Sequence, residues 1–226
     1  MTRKINIDNI SCLCSSTVKP DRIAYILYPM DMPAEWVEAA AERYGVTIVA
    51  VSGLDWQNVF SPWPAPGVPK GTGAFKGESP AFLGLLQTKI VPQVEKTLQI
   101  DSHAERNLVG VSMSGLFALW QWMVCDTFSS IASLSGSFWY QGFIEWMNKI
   151  KIPHKTGFGY FLLGDQESKS NVKAFQSVGA DTDQITKLLR DAGIHVEFES
   201  VPGNHFSDPI LRLEKAFTAL YSTNLL

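Results

Sequence analysis

The stretch Asn107-Leu-Val-Gly-Val-Ser112-Met-Ser-Gly-Leu-Phe-Ala-Leu-Trp120 runs from an apolar segment, through small residues around a serine, into a second apolar segment. This is the strand–turn–helix pattern of a nucleophile elbow. The turn is so tight that the residues two before and two after the serine must be small, since the helix start presses on the strand. Gly110 meets the first demand; Ser114 takes the second place, where glycine is commoner, and Gly115 follows it. Such a turn lifts the Ser112 hydroxyl above the carboxyl edge of a sheet. It also aims the Met113 N–H, at a helix start, at a developing oxyanion. The implied chemistry is attack of a serine on a carbonyl carbon, and that needs a base. Of the four histidines, His103 lies in a polar loop, His154 in a lysine-flanked connector and His195 at the last strand, all structural or surface contexts. His205 sits in Val201-Pro-Gly-Asn-His205-Phe206, a turn-rich segment between the last strand and the last helix. That is where a base reaches the carboxyl edge. A carboxylate must then fix the imidazole tautomer. Tyr160-Phe-Leu-Leu-Gly164-Asp165-Gln166-Glu167 reads as a strand entering a turn with two candidates, Asp165 and Glu167.

These residues need a frame. β-Branched or aromatic runs fall at Ile23–Tyr28, Val46–Val51, Leu108–Val111, Ser130–Leu134, Gly159–Leu163 and Val196–Val201. Helical patterns lie among them at Ala34–Arg43, Ala81–Thr97, Gly115–Cys125, Phe143–Lys149, Thr182–Ala192 and Pro209–Tyr221. Alternation of this kind predicts a mostly parallel sheet with right-handed crossovers and helices on both faces, a three-layer α/β/α sandwich. An extra strand near Ile5–Ser11 would begin an antiparallel edge. Without repeats or linkers, residues 1–226 read as one domain. Asp55–Lys76 differs in character, with Trp56, Phe60, Trp63 and Phe75 among four prolines and several glycines. It is either a stiffened surface loop or a functional one.

The segments GVSMSGLFALW, SLSGSFWY, FLLGDQE and PGNHF, with Ser61-Pro-Trp63, resemble the putative-esterase family of α/β-hydrolases. That family includes esterase D, siderophore esterases, feruloyl esterases and mycolyltransferases. The order serine, acid, histidine agrees with it. The resemblance implies an α/β-hydrolase fold with little or no lid, and indeed Leu134 to Gly159 leaves room for one small helix. It also implies a serine carboxylic-ester hydrolase that works through an acyl-enzyme on a small-molecule ester, with no cofactor. The family's Gly-x-x-acid pattern places the acid at Glu167, and spacing agrees. Asp165 follows Gly164 directly and is expected to bond within the turn, whereas Glu167 has the reach. The family's second oxyanion donor comes from a glycine turn after an early strand. Here that place reads Leu27-Tyr-Pro-Met30-Asp31-Met32-Pro33, and Met32 is the expected donor. Trp56, Trp63 and Trp139 are the expected substrate-binding aromatics. Acyl transfer by the same triad, and a catalytically silent binding module, are the alternative functions.

Composition narrows the partners. The chain has 226 residues with a formal net charge of -3, which argues against nucleic acid or an anionic membrane surface. No apolar leader follows MTRKINIDNI, so a cytoplasmic protein is expected. The uncharged stretch Asn107–Cys125 reads as strand plus helix rather than a membrane span. Cys12 and Cys14 share a strand face and lack the further ligands a zinc site needs, so no metal is expected.

Overall fold

The computed structural model describes residues 2–222. Its strands are β1 (Arg3–Ile7), β2 (Ile10–Cys14), β3 (Arg22–Leu27), β4 (Thr47–Ser52), β5 (Pro64–Ala65), β6 (Phe75–Lys76), β7 (Glu105–Val111), β8 (Ser130–Leu134), β9 (Phe158–Gly164) and β10 (His195–Val201). Its helices are α1 (Ala34–Tyr44), α2 (Trp56–Val59), α3 (Ser79–Leu85), α4 (Val91–Leu98), α5 (Met113–Val124), α6 (Phe143–Lys149), α7 (Val178–Asp191) and α8 (Pro209–Tyr221). Among these residues one sheet holds eight strands in the order β1-β2-β4-β3-β7-β8-β9-β10, while β5 and β6 form a small separate hairpin. From β4 through β10 every pairing is parallel; β2 runs antiparallel to both β1 and β4.

The apolar runs become central strands because both faces of the sheet are covered. On one face α1 and α8 bury Val37, Ala41, Leu213 and Phe217 against Ile26, Val109 and Leu162. On the other, Phe82, Val94, Phe117, Phe143 and Ile185 of α3 to α7 pack with Tyr25, Leu108 and Phe161. This is the α/β-hydrolase architecture. Only α6 lies between β8 and β9, so the carboxyl edge carries no inserted lid domain.

Three elements depart most from the sequence expectation. The single edge strand at Ile5–Ser11 is instead the β1–β2 hairpin, turned at Asp8, whose φ of 54° is a conformation aspartate tolerates in turns. The long helix at Ala81–Thr97 is broken by a π-helical turn, Leu86–Ile90, just before Pro92. Proline has no N–H for the preceding turn and its ring crowds the carbonyl four residues back, so a widened turn accommodates it. Helix α7 starts a turn early, at Val178, where Thr182 Oγ1 donates back to the Val178 carbonyl at 2.7 Å.

Candidate active site

Ser112 occupies the bend between β7 and α5 with φ 58° and ψ -119°, a conformation L residues rarely adopt. The need for small neighbours is literal. A Cβ on Gly110 would run into the Ser114 carbonyl and lie 2.8 Å from the Gly115 nitrogen. Ser114 is more than a tolerated substitute: its Oγ accepts the Val111 N–H at 2.7 Å and donates to the Leu27 carbonyl at 2.7 Å. The hydroxyl thus ties the elbow to the end of β3. Met113 is the first residue of α5, so its N–H has no carbonyl four residues back inside the helix.

His205 reaches Ser112 from the loop after β10. Its Nε2 lies 3.1 Å from Ser112 Oγ, and its Nδ1 lies 2.7 Å from Glu167 Oε2. Gly203, at φ 115°, lets the chain turn sharply, and Asn204 Oδ1 accepts the Phe206 N–H at 2.9 Å. The imidazole is one-third exposed while the Glu167 side chain is 3% exposed, so the ring bridges a wet cleft and a dry anchor.

Glu167 is held by its other oxygen. Oε1 accepts the Ser135 hydroxyl at 2.7 Å, the Gly164 N–H at 2.8 Å and Arg212 Nη1 at 2.8 Å. Burial pushes this carboxyl up, but bonds from His205, Arg212, Ser135 and the Gly164 N–H outweigh it and hold it at about 2. Asp165 takes another part. Its Oδ1 accepts the Gly203 N–H at 2.9 Å and the Gln166 amide at 3.0 Å, lowering its carboxyl from the ordinary range. It bonds the acid turn to the histidine loop, in keeping with the turn role expected from its position.

A cleft of about 860 Å³ opens over Ser112. Trp56 and Trp139 line it, with Tyr28, Met30, Phe175 and Phe206 beside them. Trp139 packs against Phe175 at 4.5 Å between ring centroids. Two expected residues are placed elsewhere. Trp63 does not line the cleft; its indole N–H donates to the Gln141 carbonyl at 2.8 Å, and the ring lies against Tyr140, Phe143 and Trp146. An aromatic in a proline-rich loop can serve the scaffold as well as the ligand, and this one pins Asp55–Lys76 to α6. Met32 also stands off the cleft, its side chain packed with the α1–α8 cluster, because the chain has already turned toward α1. Met30, two residues earlier, is the part of that segment that faces the cleft.

Sequence reasoning missed Ser135, Ser137 and Arg212. Ser137 Oγ lies 3.4 Å from Ser112 Oγ, and the Ser137 N–H donates to the Ser112 carbonyl at 3.1 Å. Arg212 had one available signal, a charge beside Leu213, Ala216 and Phe217 on the inward stripe of α8. Cys12 and Cys14 both face the core, and burial pushes each thiol up to about 12. No helix of the described residues is long and apolar enough to cross a membrane.

Known proteins share this architecture. The siderophore hydrolase EstB from Aspergillus nidulans superposes with a TM-score of 0.74 at 16% identity, covering 100% of this chain and 96% of that one. An IroE-like serine hydrolase from Shewanella oneidensis superposes at 0.78 with 15% identity, covering 98% and 80% respectively. Likeness at these identities speaks to the fold. The uncharacterized protein YbbA of Bacillus subtilis (strain 168) is 21% identical over 164 residues, 70% of this chain and 66% of its own length. The family model described as Putative esterase matches residues 28–209, which run from the end of β3 to the start of α8 and contain every residue of the serine–histidine–glutamate array. The chain belongs to that family, the α/β-hydrolase enzymes that cleave carboxylic esters.

Proposed function

We propose that the protein is a serine carboxylic-ester hydrolase acting through an acyl-enzyme, with Ser112 as nucleophile, His205 as general base and then acid, and Glu167 as the orienting carboxylate. The observation that carries this is the unbroken relay from Ser112 Oγ to His205 Nε2, and from His205 Nδ1 to Glu167 Oε2. Ser112 Oγ attacks the ester carbonyl as its proton passes to Nε2, which accepts it only while the imidazole is neutral. Negative charge then gathers on the former carbonyl oxygen. The Met113 N–H is one donor for it, and the turn after β3 supplies the second: Met32 is the donor expected from the sequence, and Met30, which borders the cleft, is the alternative in the same turn. The imidazolium protonates the leaving alkoxide, and a water activated by the same nitrogen releases the acid and restores Ser112.

A cleft of this volume, open and walled by aromatic rings, suits a small-molecule ester. The test is a panel of p-nitrophenyl and natural esters with the wild type and Ser112→Ala, together with fluorophosphonate labelling. The wild type should turn over esters and be labelled at Ser112. The folded variant should lose roughly 10⁶-fold in turnover and escape labelling. A folded Ser112→Ala with substantial activity removes Ser112 from the mechanism.

A further inference from the structure

Glu167 and His205 stand on separate loops, one after β9 and the other after β10, yet their bond must hold within a few tenths of an ångström. Arg212, in the first turn of α8, touches both loops. Its Nη1 donates to Glu167 Oε1 at 2.8 Å and also to the Ser135 hydroxyl. Its Nε donates to the Ser207 carbonyl at 2.9 Å and its Nη2 to the Asn204 carbonyl at 2.6 Å. Asn204 and Ser207 flank His205 in sequence, so one guanidinium bonds the carboxylate on one side and brackets the imidazole loop on the other. Even Gly164 belongs to this fit, since a Cβ there would come within 2.7 Å of Arg212 Nη2.

We propose that Arg212 is the positioning residue of the relay: it locks Glu167 Oε1, so that Oε2 alone faces the imidazole, and it fixes the histidine loop at the matching height. A flat fork with a permanent charge suits this task, because its donors reach four acceptors in fixed directions while a lysine offers a single point charge. The side chain is 4% exposed, so its charge is sustained by these bonds rather than by water. The same ion pair keeps a buried carboxylate ionised, and the ionised form, which can only accept, takes the Nδ1 proton bond that sets the productive tautomer more strongly than the neutral acid would.

The groups around Glu167 can be named element by element. The histidine loop brings His205, and α8 brings Arg212. The end of β8 brings only the Ser135 hydroxyl, and the end of β9 only the Gly164 N–H. Asp165 turns to Gly203, while Lys169 in the same turn and Asp208 at the head of α8 are exposed. No second cation replaces Arg212 among these groups.

This inference rests on the relay proposed above and is tested with Arg212→Met, Arg212→Lys and the pair Glu167→Gln with Arg212→Met, each compared by kcat, KM and pH profile. Arg212→Met should lower kcat by about 10²-fold with KM nearly unchanged, the pattern of a lost transition-state contribution. It should also move the acid limb of kcat/KM to higher pH, because burial of Glu167 is then unopposed by a cation. Arg212→Lys should lower kcat but leave the limb in place. In the Glu167→Gln background, adding Arg212→Met should change kcat by less than about threefold, since coupled residues are not additive. A folded Arg212→Met whose kcat and limb match the wild type overturns the proposal, as does an equal loss in both backgrounds. Should Arg212→Met not fold, a folded Arg212→Lys with wild-type kcat overturns it. An active wild type with inactive Ser112→Ala and unchanged Arg212→Met would sink this inference and leave the esterase reading standing.

Discussion

Glu167 works as two different groups joined at one carbon: Oε1 belongs to the scaffold and Oε2 to the imidazole. The division separates it from its neighbour Asp165, whose bonds run to the Gly203 N–H and the Gln166 amide. Glu167→Gln is therefore expected to cost roughly 10⁴-fold in kcat, since an amide can present its NH₂ to Nδ1 and favour the wrong tautomer. It should also cost about 3–5 kcal/mol in stability, because Arg212 is left buried without its counter-charge. Asp165→Asn should keep near-normal turnover and lose only some stability. Kinetics and urea unfolding on the two variants decide the matter, and a crippled Asp165→Asn beside a normal Glu167→Gln would reverse the assignment. The same carboxyl links stability to pH. It falls from an ordinary value near 4.5 to about 2 on folding, so its contribution is complete above about pH 4.5 and drains away as the pH drops toward 2. The amount is on the order of 3 kcal/mol. The stability gap between the wild type and Glu167→Gln should accordingly narrow between pH 5 and pH 2.5, and a gap constant over that range would contradict the linkage.

At the scale of elements, the elbow depends on a strand that contributes no atom to the relay. Ser114 bonds the Leu27 carbonyl at the end of β3, just before the Tyr28–Met30 segment that borders the cleft. Restoring the commoner glycine by Ser114→Gly removes that bond and leaves the Val111 N–H without its acceptor, at a cost of about 1–3 kcal/mol. Urea unfolding would measure the loss, and a Ser114→Gly as stable as the wild type would show that the hydroxyl is incidental. Elements of this kind were partly legible in the sequence. The elbow, the acid turn and the histidine loop could be read because each is local: small residues at a bend, a strand end before two carboxylates, a Pro-Gly-Asn turn before a histidine. The division of labour between Trp56 and Trp63 could not be read, since both are tryptophans in the same proline-rich loop and only packing against α6 distinguishes them. Met30 and Met32 were indistinguishable for a similar reason, because the turn between β3 and α1 decides which one faces the cleft. Arg212 was the hardest to anticipate, as its partners Glu167 and Ser135 lie 45 and 77 residues away along the chain.

At the scale of the whole molecule, parallel strands explain how such distant residues meet. The carboxyl ends of β3, β7, β9 and β10 open on one edge, so Met30, Ser112, Glu167 and His205 converge there while both faces of the sheet are committed to packing. The tension this creates is concentrated at Ser112, held by β7, α5 and β8 at a φ of 58°, with its N–H bonded to the Leu134 carbonyl at 2.9 Å. A side chain in such a region costs about 1–3 kcal/mol, which the surrounding fold must offset. Glycine enters that region freely, although it gives up about 0.5–1 kcal/mol in chain entropy. Ser112→Gly and Ser112→Ala should both be inactive, but the glycine variant should melt about 2–4 °C higher than the alanine one. Equal melting points would mean that the bend is relaxed. If the glycine variant also melts above the wild type, the native enzyme is a less durable object than a dead version of itself one residue away. Any selection of this chain for heat resistance alone, with no assay of turnover, would then be expected to discard Ser112.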